Sequence, residues 1–325
     1  MASNTTADKA VGWQVWVPCI GMALCSWLSF VDRQVLNILA PTIIKDTGLT
    51  NQDFTAATSF FFLTYTLGNP VWGTVIDYIG LRKGMLLAVA VWTAASMSHS
   101  MMATFAGFAL ARAVLGVGEG GTFPGGLRTA VETLSPAQRG RGIALSFSGG
   151  TIGAVMMPLL LGPLAIKYGW RDAFLATGVL GVVWMVIWAF IARPPYLPAT
   201  TARPAKAMWP NFGERRVWSL IFSYALPAIS PGPVLTILAL YLGQGLHLTQ
   251  AQVNNLVWIP PLTWGIGYFF WGWFADKFAA NNTRPVGLML FLTAASLTLG
   301  FATQTASPLL AIGLIGFSTF IGGGF

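Results

Sequence analysis

Charged residues are scarce in this chain, and their scarcity excludes a soluble protein. Only 9% of the 325 residues are Asp, Glu, Lys or Arg, whereas soluble domains average about 25%. Hydrophobic residues make up 55%, and the mean hydropathy is +0.66. Because backbone groups in a bilayer must form their hydrogen bonds within each spanning segment, this composition predicts an all-α membrane protein.

Cysteine and histidine are also rare, which argues against a disulfide framework and a metal centre. Cys19 and Cys25 lie on one predicted helix, about 9 Å apart along its axis, too far to form a disulfide. His99 and His247 have no carboxylate or second histidine at ligand spacing. We therefore expect neither a bound metal nor another cofactor.

The sequence features of an enzyme are missing as well. There is no P-loop pattern, no histidine pair and no long extramembrane segment. We expect that the chain is not an enzyme, and a membrane-bound enzyme or sensor stays as a remote alternative.

Long apolar runs are abundant. A helix needs about 20 apolar residues to cross roughly 30 Å of hydrocarbon. Ten such runs are present: 13–41, 55–76, 83–101, 104–127, 142–166, 172–192, 217–243, 252–273, 286–304 and 307–325. The first run is about twice as long as a signal-peptide core, so we expect it to be retained as a helix.

A Pro- and Arg-rich stretch divides these runs into six and four. Residues 192–218, "ARPPYLPATTARPAKAMWPNFGERRVW", lack apolar periodicity and are typical of a linker. We predict a six-helix bundle over 1–192, a cytoplasmic linker over 193–216 and a second bundle over 217–325. Because the sequence stops inside the tenth run, we expect about four helices in the second bundle, with the last two missing.

Positive charge is distributed unevenly among the loops. If the N-terminus is inside, most of the eighteen Lys and Arg residues fall on the inner side, and the outer segments hold only Lys45, Lys167 and Arg171. Such a bias indicates a cytoplasmic N-terminus. It also accounts for the net charge of +8 without nucleic-acid binding, so we predict a multi-pass membrane protein whose partner is the lipid bilayer.

A short motif occurs in both predicted halves. "GTVIDYIGLRK" at 73–83 and "GWFADKF" at 272–278 each lie at the inner end of the second span of their half. Gly73 and Asp77 match Gly272 and Asp276. Glycine at such a position lets a neighbouring helix approach, and an aspartate there can pair with a basic side chain or a helix N-terminus. Internal repeats of this kind are typical of secondary transporters.

Four ionisable residues lie within predicted spans: Asp32 and Arg33 on the first, and Arg112 and Glu119 on the fourth. Together they would cost on the order of 10 kcal/mol in mid-membrane, so they require a water-filled cavity or a pairing network. Arg33 and Arg112 lie at similar depths. Because Arg112 and Glu119 are seven residues apart, they share a helix face within about 20°.

Gly116 and Gly118 lie between these last two charges and carry no side chain that could block an arginine, a ligand or water. We therefore expect a wet pocket between the first and fourth helices. The alternative is a buried salt-bridge network that only pins the two helices together.

Charge arithmetic favours the pocket. With both acids ionised the four charges sum to zero, whereas protonation of one acid gives +1. An anion and a proton would then favour each other's binding, which is the coupling that a symporter needs. Two arginines, Arg33 and Arg112, suit a carboxylate because the guanidinium forms two hydrogen bonds with it, and Tyr65 on the second helix is a weaker candidate for ligand contact.

These motifs carry a family resemblance. "GTVIDYIGLRK" and "GWFADKF" resemble the signature of the major facilitator superfamily. Within it, "FVDRQVLNILAP", "ARAVLGVGEGGTFPG" and "GWRDAF" resemble the anion:cation symporter family. The resemblance implies two six-helix bundles, with helices one, four, seven and ten around a central cavity that opens to each side of the membrane in turn.

The resemblance also implies roles for individual residues. Asp32 and Glu119 would carry protons, Arg33 would anchor the anion, Arg112 would hold or release Glu119, and Tyr65 would contact the ligand. Asp77 would hold the inner gate. The remaining residues of the predicted gating motif are Gly73, Gly80, Arg82, Lys83, Gly272 and Asp276.

We therefore predict proton-coupled symport of a small organic anion, a carboxylate such as a sugar acid, by a monomer. Anion exchange and facilitated diffusion stay open as alternatives. Drug efflux is disfavoured because "GGTIGAVMMPLLLGPLA" lacks the Gly-Pro followed by two glycines that the resemblance would require of a drug antiporter.

Overall fold

The computed structural model describes residues 12–198, 211–219, 221, 231–278 and 299–322. The α-helices in these ranges are α1 Val17–Thr47, α2 Asn51–Ile79, α3 Leu81–Ser98, α4 Phe105–Glu119, α5 Thr122–Thr133, α6 Arg139–Tyr168, α7 Trp170–Ile191, α8 Pro231–Leu240, α9 Gln250–Asn254, α10 Ile259–Phe278, α11 Leu299–Ala302 and α12 Pro308–Gly322. A π-helical turn, Tyr241–Gly245, follows α8.

Side-chain hydroxyls fix the start of several helices. Thr50 and Asp53 form a reciprocal capping box at α2, and Thr249 and Gln252 form another at α9. The Thr104 hydroxyl accepts a hydrogen bond from Gly107 N at the start of α4 (3.3 Å). These bonds satisfy backbone donors that have no partner within the first helical turn.

Most predicted spans correspond to helices, but two of them are divided. The eighth, 252–273, contains the end of α9 and most of α10. The fourth, 104–127, contains α4 and the beginning of α5, separated by Gly120 and Gly121. The bond from Gly121 N to Gly118 O (3.1 Å) joins residues three apart and tightens the turn. Residues 220 and 222–230 of the seventh span, 286–298 of the ninth and 323–325 of the tenth lie outside the described residues.

By length and composition alone, three of the described helices can cross a membrane: Trp13–Thr47, Arg139–Tyr168 and Trp170–Ile191. Helix α2 is long as well, with 29 residues, but its first turns contain polar residues.

The chain divides into two compact units. Unit 1 comprises residues 1–32, 47–153 and 171–207, and unit 2 comprises 33–46, 154–170 and 208–325. Helices α1 and α6 therefore contribute a segment to each unit. The predicted ends of the two bundles, at residues 192 and 217, stay a prediction from the sequence.

Tryptophans organise the core of unit 1. Trp92 and Trp188 are fully buried, and the Trp184 and Trp188 rings stack with centroids 5.2 Å apart. The indole N–H groups of Trp184 and Trp188 donate to backbone carbonyls of other helices, from Trp184 to Gly21 O (2.8 Å) and from Trp188 to Arg82 O (3.3 Å). Burying an indole without a partner would be unfavourable, so these bonds fix α7 against α1 and α3.

Unit 2 has its own polar contacts between helices. The Thr263 and Thr319 hydroxyls of α10 and α12 lie 2.8 Å apart. The Gln250 carboxamide of α9 accepts from the Thr42 hydroxyl (2.8 Å) and donates to Ile38 O (3.0 Å) in the C-terminal half of α1. In a bilayer, an apolar side chain gains little free energy by leaving lipid for a neighbouring helix, so hydrogen bonds of this kind help to hold the helices together.

Glycines let α4 approach its neighbours closely, which corrects the prediction of an open space beside Gly116 and Gly118. A Cβ atom at Gly116 would collide with Phe61 O and the Thr64 hydroxyl of α2, and one at Gly118 would lie 2.7 Å from Trp92 N of α3. Both glycines are packing positions. Atoms of α2 and α3 occupy the space that we predicted to be open to ligand or water.

We expect Gly116→Ala to destabilise the protein. Overpacking costs about 1–3 kcal/mol, which exceeds the gain of about 1 kcal/mol from replacing glycine by alanine in a helix. Gly313→Ala in α12 is the matched control, because no atom lies within 4 Å of its added Cβ. Thermal unfolding in detergent should give a lower Tm for Gly116→Ala and an unchanged or higher Tm for Gly313→Ala. Equal melting of the two variants would contradict the tight crossing of α2 and α4.

Candidate functional site

Helix α1 places Asp32 in the interior of unit 1, where it is only 1% exposed. Ser96 of α3 donates its hydroxyl to Asp32 Oδ1 (2.7 Å). The Ser96 oxygen also lies 2.9 Å from the Thr177 hydroxyl of α7. A buried carboxyl group therefore contacts hydroxyls contributed by two other helices.

Glu119 ends α4 and is also completely buried. Ser29, one helical turn before Asp32 on α1, donates its hydroxyl to Glu119 Oε2 (2.8 Å). The two acidic side chains interact electrostatically. The structure thus brings Asp32 and Glu119 into one cluster, as the sequence predicted.

Arg112 joins this cluster from two turns earlier on α4. It is 1% exposed, and its guanidinium carbon lies 5.6 Å from the centre of the Phe61 ring, within the range of a cation–π interaction. It interacts electrostatically with Asp32. A charged arginine is tolerated here because acidic groups and an aromatic face replace its water.

The three side chains are closed off from solvent, which corrects the prediction of a wet pocket beside them. Their exposed fractions are 1% for Asp32, 1% for Arg112 and 0% for Glu119. In this conformation protein hydroxyls and the packed faces of α1, α2, α3 and α4 surround them.

Arg33 and Tyr65 are less deeply buried than these three side chains. Arg33 belongs to unit 2 and is half-buried, and the next residue, Gln34, lines a narrow crevice within that unit that has room for about one water molecule. Tyr65 is half-buried on α2 and stacks on Phe61 with ring centroids 5.8 Å apart. Their predicted contacts with an anion stay predictions.

His99 is buried as part of the apolar interior. Its Nδ1 lies 2.8 Å from Ala95 O, and its ring stacks on Phe174 with centroids 4.9 Å apart. Among the residues that the structure describes, no group of three His, Cys, Asp or Glu side chains is placed to hold a metal ion.

The first gating motif forms a second polar cluster. Arg128 of α5 pairs with Asp77 of α2 (2.7 Å) and also with Glu132. Arg82 donates to Ala189 O of α7 (3.0 Å), and Lys83 is exposed. The motif thus joins α2, α5 and α7.

The glycines of this motif have different roles. Gly80 turns the chain from α2 to α3 with φ +84°, a backbone conformation that favours glycine. At Gly73, an added Cβ would meet only Pro124 Cβ at 3.9 Å, so close helix approach does not require glycine there. Gly272 and Asp276 lie on α10, and their side chains are outside the described part of the chain.

Sequence analysis missed three site residues: Ser29, Ser96 and Thr177. Hydroxyl residues in apolar helices give a weak signal in the sequence because they often bond to their own helix, as Thr58 does to Phe54 O (3.0 Å). Only the packing of α1, α3 and α7 reveals that these three approach the acids.

Apolar helices that bury charged residues define the class of this protein, a multi-pass membrane protein with an internal polar site. The family model described as Major Facilitator Superfamily matches residues 22–325. The chain belongs to this superfamily of membrane transporters.

Known relatives agree with this assignment. The galacturonate transporter of Dickeya chrysanthemi is 22% identical over 265 residues, which cover 76% of this chain and 77% of the relative. A probable sulfoacetate transporter of Cupriavidus necator is 24% identical over 321 residues, covering 92% and 75%. A probable L-galactonate transporter of Escherichia coli is 24% identical over 316 residues, covering 90% and 70%.

Solved structures have the same fold. A bacterial homologue of the human lysosomal transporter Spinster, in an inward-facing and unoccupied conformation, matches with a TM-score of 0.71 and 19% identity, covering 97% of this chain and 75% of that one. The nucleoside transporter NupG matches with a TM-score of 0.68 and 12% identity, covering 95% and 80%.

Proposed function

We propose that this chain is a secondary transporter that carries a small organic anion together with a proton by alternating access. Asp32 and Glu119 carry the proton, Arg33 anchors the anion, Arg112 holds or releases Glu119, and Tyr65 contacts the ligand. The transporter works as a monomer in the bacterial inner membrane, with its N-terminus in the cytoplasm.

The observation that carries this proposal is the burial of two carboxyl groups with one arginine in unit 1. Arginine keeps its charge under all physiological conditions. The cluster is therefore neutral when one acid is protonated and has a charge of −1 when both are ionised. A protein interior strongly disfavours uncompensated charge, so the cluster supports uptake of one proton.

The names of the relatives support an organic anion as substrate. Galacturonate, L-galactonate and sulfoacetate are small anions that carry hydroxyl, carboxylate or sulfonate groups. A guanidinium binds carboxylate oxygens through two parallel hydrogen bonds. Arg33 and Arg112 are suited to such substrates.

Uptake into proteoliposomes tests the proposal. Purified protein should accumulate labelled galacturonate, galactonate or sulfoacetate when the outside is acidic, and a protonophore should abolish the accumulation. A gradient of one pH unit supports about tenfold accumulation for one proton per anion, because one pH unit and a tenfold ratio are the same free energy. Uptake that equilibrates without accumulating would indicate exchange or facilitated diffusion. No uptake of any of the three anions at any pH would contradict the proposal.

A further inference from the structure

The Gln250 carboxamide joins α9 to the C-terminal half of α1. It accepts from the Thr42 hydroxyl (2.8 Å), and its amide nitrogen donates to Ile38 O (3.0 Å) and to Asn254 Oδ1 (2.9 Å). All four residues belong to unit 2. Because α1 precedes the predicted linker and α9 follows it, this contact connects the first predicted bundle to the second.

The backbone of α1 favours a side-chain bond at this place. Pro41 lies inside the helix, where proline removes one backbone hydrogen bond and bends the preceding turn. Neighbouring helices commonly supply hydrogen-bond partners for such a turn in membrane proteins, and the Gln250 amide does so for Ile38 O. Gly243, in the π-helical turn after α8, permits the close approach, because an added Cβ would lie only 3.0 Å from Pro41 Cγ.

The same contact contains a polar group that opposes it. Asn254 is 5% exposed, and its Nδ2 atom has no hydrogen-bond partner within the described ranges. It lies against α6, where a Cβ atom added at Gly162 would be 2.5 Å from this nitrogen. A buried donor without a partner is unfavourable, and water would pair with it if the helices separated. The contact therefore depends on the bonds of Gln250 to stay closed.

The groups that Gln250 bonds to are all neutral. They are a hydroxyl, a backbone carbonyl and a second carboxamide. The neighbouring charged residues of α1, Lys45 and Asp46, are exposed, and Asp46 accepts from the Trp170 indole (3.0 Å) at the start of α7. Opening of the contact thus requires the loss of hydrogen bonds and not a change of protonation at Gln250 or its partners.

We propose that Gln250 is a gate residue that holds the predicted outer end of the protein closed. Its bonds to Thr42 and Ile38 O keep the C-terminal half of α1 against α9, and the outer end opens when both bonds break. This inference rests on the proposed function for its purpose, because a gate serves a transported solute. The closed contact itself can be measured without transport.

Leu238→Cys provides a reporter of the closed contact. Leu238 of α8 is 4% exposed and lines the narrow crevice together with Ile38, so a maleimide reaches position 238 only when α1 moves away. A membrane-impermeant maleimide is added to right-side-out vesicles, and the labelling rate follows the fraction of open molecules. The native cysteines, Cys19 and Cys25, are buried, and the protein without the reporter gives their background.

Gln250→Leu in the reporter protein should raise the labelling rate about tenfold, because two hydrogen bonds between helices are lost at once. Thr42→Val removes only one of them and should raise the rate about threefold. Together, the two substitutions should act no more strongly than Gln250→Leu alone, since Thr42 then has no bond to Gln250 left to lose. Independent effects would multiply instead, so this comparison separates a bond between the two side chains from a general loosening of the fold.

Gln304→Leu is the matched control. It makes the same chemical change at an exposed position of unit 2 and should leave the labelling rate of the reporter unchanged. Thermal unfolding in detergent checks that each variant is folded. If Gln250→Leu does not fold, the labelling rate of Thr42→Val decides the question alone.

Two results would overturn the gate: an unchanged labelling rate in the folded Gln250→Leu or Thr42→Val protein, or effects that multiply in the double variant. If the labelling rates behave as expected but no anion is taken up, the gate stands and the proposed transport function fails. The two proposals are thus separable.

Discussion

Glu119→Gln should abolish accumulation driven by a pH gradient while leaving exchange of labelled for unlabelled anion intact. Glutamine keeps the size of the side chain and an oxygen that can accept from Ser29, which lies 2.8 Å from Glu119 Oε2. It cannot take up or release a proton, and the remaining pair of Arg112 and an ionised Asp32 is already neutral, so the cluster no longer needs one. The anion can then still bind and cross, but its movement is no longer coupled to a proton.

The measurement compares accumulation and exchange in the same proteoliposomes. With a gradient of one pH unit, the ratio of internal to external anion should fall from about ten to about one. Glu214→Gln is the control, because Glu214 is exposed and the chemical change is identical. Full accumulation by Glu119→Gln would exclude Glu119 as the coupling residue.

Arg112→Met should strongly destabilise the protein. Methionine replaces much of the volume but leaves Asp32 and Glu119 buried without their cation, and removing one partner of a buried charge pair costs about 3–5 kcal/mol. The contact with the Phe61 ring, 5.6 Å from the guanidinium carbon, is lost as well. Thermal unfolding in detergent should show a large fall in Tm, whereas Arg141→Met, at an exposed position in α6, should melt like the wild type.

Double variants identify which acid Arg112 balances. If Asp32 is already protonated, the charge left behind belongs to Glu119. Adding Glu119→Gln to Arg112→Met should then recover much of the lost stability, and adding Asp32→Asn should recover little. Equal recovery by both second substitutions would mean that the two acids share the negative charge. The comparison is a double-mutant cycle, which separates the interaction from the individual effects.

Much of this architecture follows from the apolar pattern. The ten predicted runs and the described helices agree along unit 1, because a helix that crosses hydrocarbon must be long and apolar. The cluster of Asp32, Arg112 and Glu119 was also predictable. Its members are the charges that the membrane penalises most, and the seven-residue spacing on α4 places two of them on one face.

The surroundings of the cluster were not predictable from the sequence. A glycine gives the same sequence pattern whether it borders a cavity or a neighbouring helix. Only the structure places Phe61 O against Gly116 and Trp92 against Gly118. The partner of Asp77 also required three-dimensional packing, since Arg128 lies 51 residues away. Serine and threonine residues such as Ser96 follow no periodic pattern in the sequence that would identify them as partners of a buried acid.

Gly120 and Gly121 lie between two polar sites. On one side of them the chain carries the Glu119 carboxyl group, and on the other side α5 carries Arg128 with its bond to Asp77. A Cβ atom at Gly120 would lie 2.8 Å from Gly68 C of α2, and one at Gly121 would lie 2.8 Å from Ala88 Cβ of α3. Because the break between α4 and α5 is packed against both neighbours, a larger residue at either position would disturb the buried acid and the pair of Arg128 and Asp77 together.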